Sequence, residues 1–176
     1  FRLPAQMNNV QYFGRGPEEN YTDRNHGTVV GVYKTTADKM YFNYVRPQEN
    51  GHRTDTRWIA LSPDKGKGLV IVADSLVGFN ALRNSIEDFD SEEALPHPYQ
   101  WSNFTPEEVA NHNEKAARNV LRRMHHVNDI TPRDFVEVCV DMKQQGVGGY
   151  DSWGARPEPI YQIPANREYN WGFTLV

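Results

Sequence analysis

The chain has 176 residues, a length that fits one domain with a hydrophobic core of its own. Charged residues make up 24% and hydrophobic residues 38%, which excludes a disordered or fibrous protein. The net charge of −4 argues against a nucleic-acid or anionic-membrane partner, and no apolar run approaches the roughly 20 residues of a membrane span. We therefore predict one globular domain over residues 1–176, with no nucleic acid and no membrane as partner.

Short apolar or alternating runs separated by glycine and proline dominate the chain. Such runs are typical of antiparallel β-sheets, and the 12% of aromatic residues suits β-structure as well. In chain order, they predict strands at residues 10–13, 27–33, 40–45, 56–61 and 68–73, and then at 135–142, 159–163 and 171–176, with a tight turn at 62–68.

One segment breaks this pattern. Thr105 is followed by a proline and, three residues later, by Glu108, which is the composition of a helix N-terminus. Apolar residues then recur at helical spacing, so we predict a helix over about residues 106–125. The expected fold is a mainly β, antiparallel β-sandwich with this one helix. Because the chain starts with Phe1 and its final run reads as a terminal strand, we expect the C-terminal piece of a larger protein.

Residue types that carry chemistry are present, but their spacing does not assemble a site. Acidic residues are plentiful, yet no pair is spaced so that two carboxylates must face each other. The six histidines are scattered except for the adjacent His125 and His126, which cannot easily chelate one ion. Cys139 lies in a predicted strand and is expected to pack as a small hydrophobe. The glycosylation pattern that starts at Asn20 is too frequent by chance to carry weight.

Three segments together resemble the last domain of family 2 β-galactosidases. Residues 14–24 (GRGPEENYTDR) resemble its G-x-G-P-x-E-N-Y-x-D-R signature, and residues 44–53 (YVRPQENGHR) resemble its Y-V-x-P-x-E-N-G-x-R segment. Residues 146–153 (GVGGYDSW) resemble its G-x-G-G-x-D-S-W loop. We call these the first, second and third segments. Because all three occur in the same order and spacing, the resemblance covers nearly the whole chain.

The resemblance implies a function that the residues alone do not. Members of the family hydrolyse terminal β-galactosides such as lactose with retention, using a pair of glutamates in a TIM-barrel domain that lies outside this chain. Their last domain is a galactose mutarotase-like sandwich, of which this chain would be the later part. The resemblance also implies magnesium and a monovalent cation in the parent enzyme, with ligands outside this chain, and assembly as a homo-oligomer. A bacterial protein of this kind would be cytoplasmic or periplasmic.

The expected role of this chain is therefore to pack on the catalytic TIM barrel and to form one wall of its galactoside-binding cleft, with no catalytic residue of its own. The hypothesised wall residues are Glu137, Tyr150, Asp151 and Trp153. In some members a tryptophan lines the sugar site, and a gap-free count from the third segment places Glu137 there. A carboxylate cannot stack on a sugar ring, although it can accept hydrogen bonds from sugar hydroxyls.

Two alternatives remain open at this stage. A stand-alone carbohydrate-binding module would use exposed aromatic residues such as Trp58, Trp101 or Trp153 to stack on sugar. An aldose epimerase would need an acid–base pair positioned in a pocket.

Overall fold

A computed structural model describes residues 1–89, 107, 127–151 and 153–176 of the chain. Strands are the main elements of these residues, and the predicted mainly β, antiparallel class is confirmed. The strands are β1 (Arg2–Pro4), β2 (Asn9–Gly16), β3 (Val29–Thr36), β4 (Arg53–Ser62), β5 (Leu69–Leu82), β6 (Phe135–Asp141) and β7 (Phe173–Leu175). One short helix, α1 (Ala37–Met40), follows β3, and single 3₁₀ turns occur at Ile86–Asp88, Val127–Asp129 and Pro159–Tyr161.

The seven strands form one antiparallel sheet, in which six follow the order β1-β6-β5-β4-β2-β3 and the seventh, β7, pairs with β5 outside this path. The 14-residue strand β5 is its centre, because β4 pairs along one side while two strands share the other. Its first part, Ile71 to Ala73, pairs with β7, and its last part, Gly78 to Leu82, pairs with β6. Strand β5 thereby links the end of the chain to its beginning, since β6 in turn pairs with β1.

Strand β2 buries one of its faces, as the period-two alternation of a strand allows, whereas residues 77–82 at the end of β5 are all buried. In β2, Val10 and Tyr12 are buried while their neighbours are partly exposed. Burying each such large apolar side chain stabilises the fold by about 1.5–3 kcal/mol. The other strands contribute Ile59, Leu61, Ile71, Val77, Phe79, Ala81, Val136 and Val138 to the buried set.

Helix α1 begins at an N-cap, because the hydroxyl of Thr36 accepts a hydrogen bond from the backbone N–H of Lys39. The helix buries Ala37 and Met40 and contacts β3 and β5.

Two predicted strands are wrong. Residues 40–45 do not form a strand: Met40 ends α1, and the backbone N–H of Phe42 is bound by the side-chain oxygen of Asn50 instead of by a neighbouring strand. Residues 159–163 carry the 3₁₀ turn Pro159–Tyr161. Both errors arose because short apolar runs do not reveal whether a partner strand exists. The helix predicted over 106–125 lies outside the described residues, apart from Glu107.

The chain divides into two compact units. The first comprises Phe1–Phe42, Asn50–Arg83 and Pro132–Val176 and contains the whole sheet. The second comprises Asn43–Glu49 and Asn84–Thr131, and in it Asn84 donates a side-chain hydrogen bond to the carbonyl of Thr131. Among the described residues, no helix has the length and apolar character that crossing a membrane requires.

Candidate functional site

Asn20 joins the first segment to strand β4. Its side chain is fully buried, and its oxygen accepts hydrogen bonds from the backbone N–H and the hydroxyl of Thr54. Its NH₂ group donates to the carbonyl oxygens of Arg15 at 3.2 Å and Glu18 at 3.0 Å. The amide therefore fixes the turn after β2 against the start of β4. The same burial removes Asn20 from the surface of the folded chain, where a glycosylation site has to lie.

Glu19 makes a second link between the first and second segments. Its buried carboxylate accepts a hydrogen bond from the backbone N–H of Gly51 at 2.9 Å and lies 3.4 Å from the guanidinium of Arg24. Gly51 has φ of +75°, and a Cβ at this position would lie 2.7 Å from the carbonyl oxygen of Met40. Only glycine fits there, which explains why the second segment carries one.

Asp23 ties the third segment to the first. Its carboxylate accepts hydrogen bonds from the backbone N–H groups of Val147 at 3.0 Å and Gly148 at 2.8 Å. A Cβ on Gly146 would lie 2.4 Å from an oxygen of Asp23, so the close approach requires glycine. We call residues 146–155 the glycine loop. Because a carboxylate of the chain itself occupies its backbone N–H groups, the loop is not a phosphate-binding loop.

The contacts made by Asn20, Glu19 and Asp23 bring the three segments together at one place, which we call the junction. Its members come from the segment that follows β2, from the residues around the start of β4 and from the loop after β6. The sequence resemblance identified the segments, but only the structure shows that they touch.

Three of the four hypothesised wall residues lie in the glycine loop. Asp151 organises the loop, because its carboxylate accepts hydrogen bonds from the backbone N–H groups of Trp153 at 2.8 Å and Ala155 at 3.2 Å. Tyr150 is 73% exposed and Trp153 is 95% exposed. Two aromatic side chains thus project outward from a loop that Asp23 and Asp151 hold in place.

The fourth wall residue, Glu137, lies on β6, outside the glycine loop, and its side chain is already paired with another residue of the chain. Its carboxylate forms an ion pair with the guanidinium of Arg2 on β1, and only 17% of its side chain is exposed. A sugar hydroxyl would have to share this carboxylate with Arg2.

His52 is a residue of the second segment that the sequence analysis did not single out. It is 1% exposed, its ring stacks on Tyr21 with centroids 5.5 Å apart, and it packs against Gly78, where a Cβ would lie 2.3 Å from the ring. Its Nδ1 lies 3.9 Å from an oxygen of Asp141, beyond hydrogen-bonding distance. No spacing rule joins a histidine before β4 to an aspartate at the end of β6, so sequence alone carried no signal for the pair.

Burial sets the protonation of this pair. Desolvation, with a smaller contribution from the nearby guanidinium of Arg53, lowers the pKa of His52 to about 4, so the imidazole is neutral at pH 7. Desolvation also raises the pKa of Asp141, while a hydrogen bond from Gln144 opposes the shift. The pair has the residue types that an acid–base site needs, but its histidine lies beneath the surface.

The described residues do not fit a metal site. Within them, no group of three or more His, Cys, Asp or Glu side chains could hold an ion. The magnesium and the monovalent cation implied by the resemblance are expected to bind outside this chain, and that expectation stays a prediction.

The face of the sheet opposite the core carries a row of apolar side chains. Val32, Phe13, Trp58 and Val72 are paired across β3, β2, β4 and β5. Val32 is 56% exposed and Val72 is 42% exposed, while the guanidinium of Arg57 lies 4.9 Å from the centre of the Phe13 ring. We call this set the outward row.

Comparison with known proteins assigns the chain to a family. The model of the β-galactosidase small chain matches residues 1–175. A β-galactosidase of Priestia megaterium is 34% identical over 175 residues, which cover 99% of this chain and 14% of that protein. β-Galactosidase BgaC of Bifidobacterium adolescentis is 31% identical over 165 residues, covering 94% and 13% respectively. The chain spans about 14% of the length of the first of these relatives. These matches confirm the resemblance seen in the three segments: the chain belongs to the β-galactosidase small-chain family.

Proposed function

We propose that this chain is a non-catalytic, C-terminal module of a β-galactosidase. The whole protein would hydrolyse terminal β-D-galactosides such as lactose, using catalytic residues in a TIM barrel beyond these 176 residues. The module packs on that barrel and forms part of the wall of its cleft. Support for the reaction class comes from the relatives, which are β-galactosidases several times longer than this chain.

The observation that carries the structural role is the outward display of Tyr150 and Trp153 on the glycine loop. A 95% exposed tryptophan loses the hydrophobic gain of burial, so its presence on a well-held loop favours a partner surface. The hydrogen bonds to Asp23 and Asp151 fix the loop before any partner binds, which lowers the entropy lost on docking.

The outward row supports packing against further protein. Four apolar side chains across four strands form a continuous patch, and covering the half-exposed Val32 and Val72 would stabilise an assembly by hydrophobic burial. The row lies on the face of the sheet opposite the core, which is where a sandwich places its second layer.

The four wall residues take different parts in this proposal. Trp153 and Tyr150 touch the barrel or its substrate, whereas Asp151 acts by shaping the loop that carries them. Glu137 contributes only if the substrate competes with Arg2 for its carboxylate.

The test is kinetic and uses the intact parent enzyme. Trp153→Ala is expected to lower kcat/KM for a chromogenic β-galactoside by about five- to thirtyfold, because one anchoring aromatic residue contributes on the order of 1–2 kcal/mol. The matched control is Trp171→Ala, which removes a 43% exposed tryptophan that contacts Phe173 near the end of the chain. Equal kinetics for Trp153→Ala and the unaltered enzyme would remove the glycine loop from the cleft.

Glu137 has a test of its own. If Glu137→Ala leaves kcat and KM for the galactoside unchanged in the intact enzyme, the residue has no contact with substrate. A rise in KM that Arg2→Ala does not reproduce would place it in the wall.

A stand-alone carbohydrate-binding module is the second candidate function, favoured by the same exposed Trp153. Trp58 is half-buried in the outward row, and Trp101 lies outside the described residues. Saturable quenching of tryptophan fluorescence by lactose in the 176-residue chain, abolished by Trp153→Ala, would favour this candidate over the module of an enzyme.

A further inference from the structure

Strand β3 ends the sheet on one side, and its outer edge is long and regular. Its eight residues pair with β2 in an unbroken register, and no described strand lies on its other side. The strand at the opposite end, β1, has only three residues and includes Pro4. Proteins commonly keep edge strands from pairing with other chains by making them short or by placing a proline or a bulge in them. Strand β3 has none of these features, and its one charged residue is Lys34.

The hydrogen bonds of the ladder show which backbone groups of β3 face away from β2. Directly after β3, the N–H of Ala37 donates to the carbonyl oxygen of Asn8 at 2.8 Å, which continues the register of the two strands. In an antiparallel pair, residues that exchange hydrogen bonds with the partner strand alternate with residues whose N–H and C=O point the other way. Counting back from Ala37, the groups that point away from β2 belong to Lys34, Val32 and Val30.

These three residues present a row of unused donors and acceptors, which we call the free edge. Among the described residues, no hydrogen bond reaches the backbone N–H or C=O of Val30, Val32 or Lys34. Val32 is 56% exposed, Val30 is 36% exposed, and Lys34 is exposed as well. One N–H and one C=O at every second residue is the spacing at which an added strand forms its hydrogen bonds. The free edge therefore selects an extended polypeptide as its partner.

The sequence of β3 fits a second copy of itself. Two copies related by a two-fold axis through Val32 run antiparallel, so that Val32 faces its own counterpart and Lys34 faces Val30 of the second copy. The two lysines then lie on opposite sides of the axis, whereas an axis through Lys34 would set like charges directly against each other. On the other face of the strand, Tyr33 lies opposite Gly31 of the second copy, so a large side chain meets a residue without one.

We propose that two copies of this chain dimerise through the free edge, with their β3 strands paired antiparallel about Val32. The pairing forms about six backbone hydrogen bonds, because three residues of each copy supply one donor and one acceptor apiece. The two sheets join into one, and the outward rows of both copies lie on the same face of it, with the two Val32 side chains in contact at the centre. The proposal stands independently of the module's role in a β-galactosidase.

Sedimentation equilibrium of the 176-residue chain measures the association. Between about 10 µM and 1 mM, the range of weak complexes, the molar mass is expected to rise with concentration. It should start from the 20.3 kDa of one chain and approach twice that value.

Hydrogen exchange, followed by NMR at both ends of this concentration range, locates the contact. The amides of Val30, Val32 and Lys34 should exchange about tenfold more slowly when about nine-tenths of the chain is dimeric, because they then exchange from the remaining monomer. The amides of Gly31 and Tyr33, which face β2, should be equally protected at both concentrations.

Matched variants separate edge pairing from packing between sheet faces. Val32→Lys places two like charges at the axis and is expected to weaken dimerisation by about tenfold or more. Val72→Lys makes the same change on the same face of the central strand β5, at a residue that is 42% exposed, and should leave dimerisation unaltered.

A third variant tests the backbone contribution. Val32→Pro removes an N–H that points away from β2, which an edge strand tolerates, and it should abolish dimerisation. Unchanged protection of the Tyr33 amide in this variant shows that the ladder with β2 is intact.

Three results would overturn the proposal. One is a monomer at every concentration in this range, and another is dimerisation that Val32→Lys leaves unaltered or that Val72→Lys weakens as strongly. The third is protection of Val30, Val32 and Lys34 that appears only when the separately expressed remainder of the parent enzyme is added, which would assign the free edge to a strand of that enzyme.

Discussion

The junction contacts the glycine loop, whose tip we define as Tyr150 and Trp153. The side chains of the junction are buried, whereas those of the tip are exposed. At the junction, Asn20 and Glu19 are buried and use their polar atoms on the backbone of other segments. At the tip, Tyr150 and Trp153 are exposed on a loop that is itself held by carboxylates. We infer from this difference that most of the signature maintains the fold, and we propose that the few exposed residues contact a partner.

The largest loss of stability is expected when the side chain of Asn20 is removed from the junction. Asn20→Ala would leave the backbone N–H of Thr54 and the carbonyl of Arg15 buried without their partner, and we expect the free energy of unfolding to fall by about 4 kcal/mol. Urea denaturation measures this loss. Asn170→Ala, which removes an exposed amide that donates a hydrogen bond to the carboxylate of Glu168, is the control and should change stability by less than about 0.5 kcal/mol. Similar losses in both variants would contradict the distinction between the two regions.

Acid should weaken the junction through His52. Since burial lowers the folded-state pKa of His52 from 6.5 to about 4, the unfolded chain binds a proton first as the pH falls. The free energy of unfolding therefore keeps its full value above pH 6.5. Between pH 6.5 and 4 it falls by about 3 kcal/mol because of His52. The raised pKa of Asp141 acts in the opposite direction at the acid end of this window.

Unfolding free energies measured at several pH values test this dependence. His52→Phe should flatten the curve between pH 6.5 and 4, whereas His26→Phe, at an exposed position, should leave its shape unchanged. A wild-type curve that is already flat in this window would show that His52 is not buried as described.

Removing Asp23 should release the glycine loop without unfolding the sheet. Asp23→Ala deletes two hydrogen bonds to the backbone of Val147 and Gly148, and the expected loss of stability is about 1–2 kcal/mol. Hydrogen exchange at these two amides should accelerate more than exchange in β4 or β5. Asp64→Ala, which removes a hydrogen bond to the side chain of Asn9, is the control and should leave the loop amides protected.

The smallest effect on stability is expected at the tip. Trp153→Ala should change the free energy of unfolding of the 176-residue chain by less than about 0.5 kcal/mol, because the side chain is 95% exposed. Thermal denaturation measures this change. A loss of several kcal/mol would mean that Trp153 packs within the chain, and its proposed role at the cleft would then be wrong.

The strands were predictable from sequence where an apolar or alternating run is bounded by turn residues such as glycine and proline. Strands β2, β4 and β6 form where short apolar or alternating runs predicted strands, and Val136 and Val138 are buried on the same face of β6. The last part of β5 was missed, because Ala73-Asp-Ser75 interrupts its apolar pattern where the pairing with β4 shifts register. The strand predicted at residues 40–45 failed because a side chain, that of Asn50, takes the place of a partner strand.

The candidate site was predictable only as sequence segments. Tyr150, Asp151 and Trp153 were placed in one loop by the third segment, but nothing in the pattern shows that Asp151 faces its own backbone. The pairing of Glu137 with Arg2 and the burial of His52 depend on contacts between distant parts of the chain. Periodicity reports which face of a strand a residue occupies, and it carries no information about such partners.

Complementation tests the central claim most directly. Hydrolysis of a chromogenic β-galactoside would be measured with the 176-residue chain alone, with the separately expressed remainder of the parent enzyme alone, and with the two mixed. We predict no turnover by the chain, little by the remainder, and activity on mixing that Trp153→Ala reduces. Turnover by the chain alone that survives repurification would contradict the account, because the catalytic residues would then lie within these 176 residues.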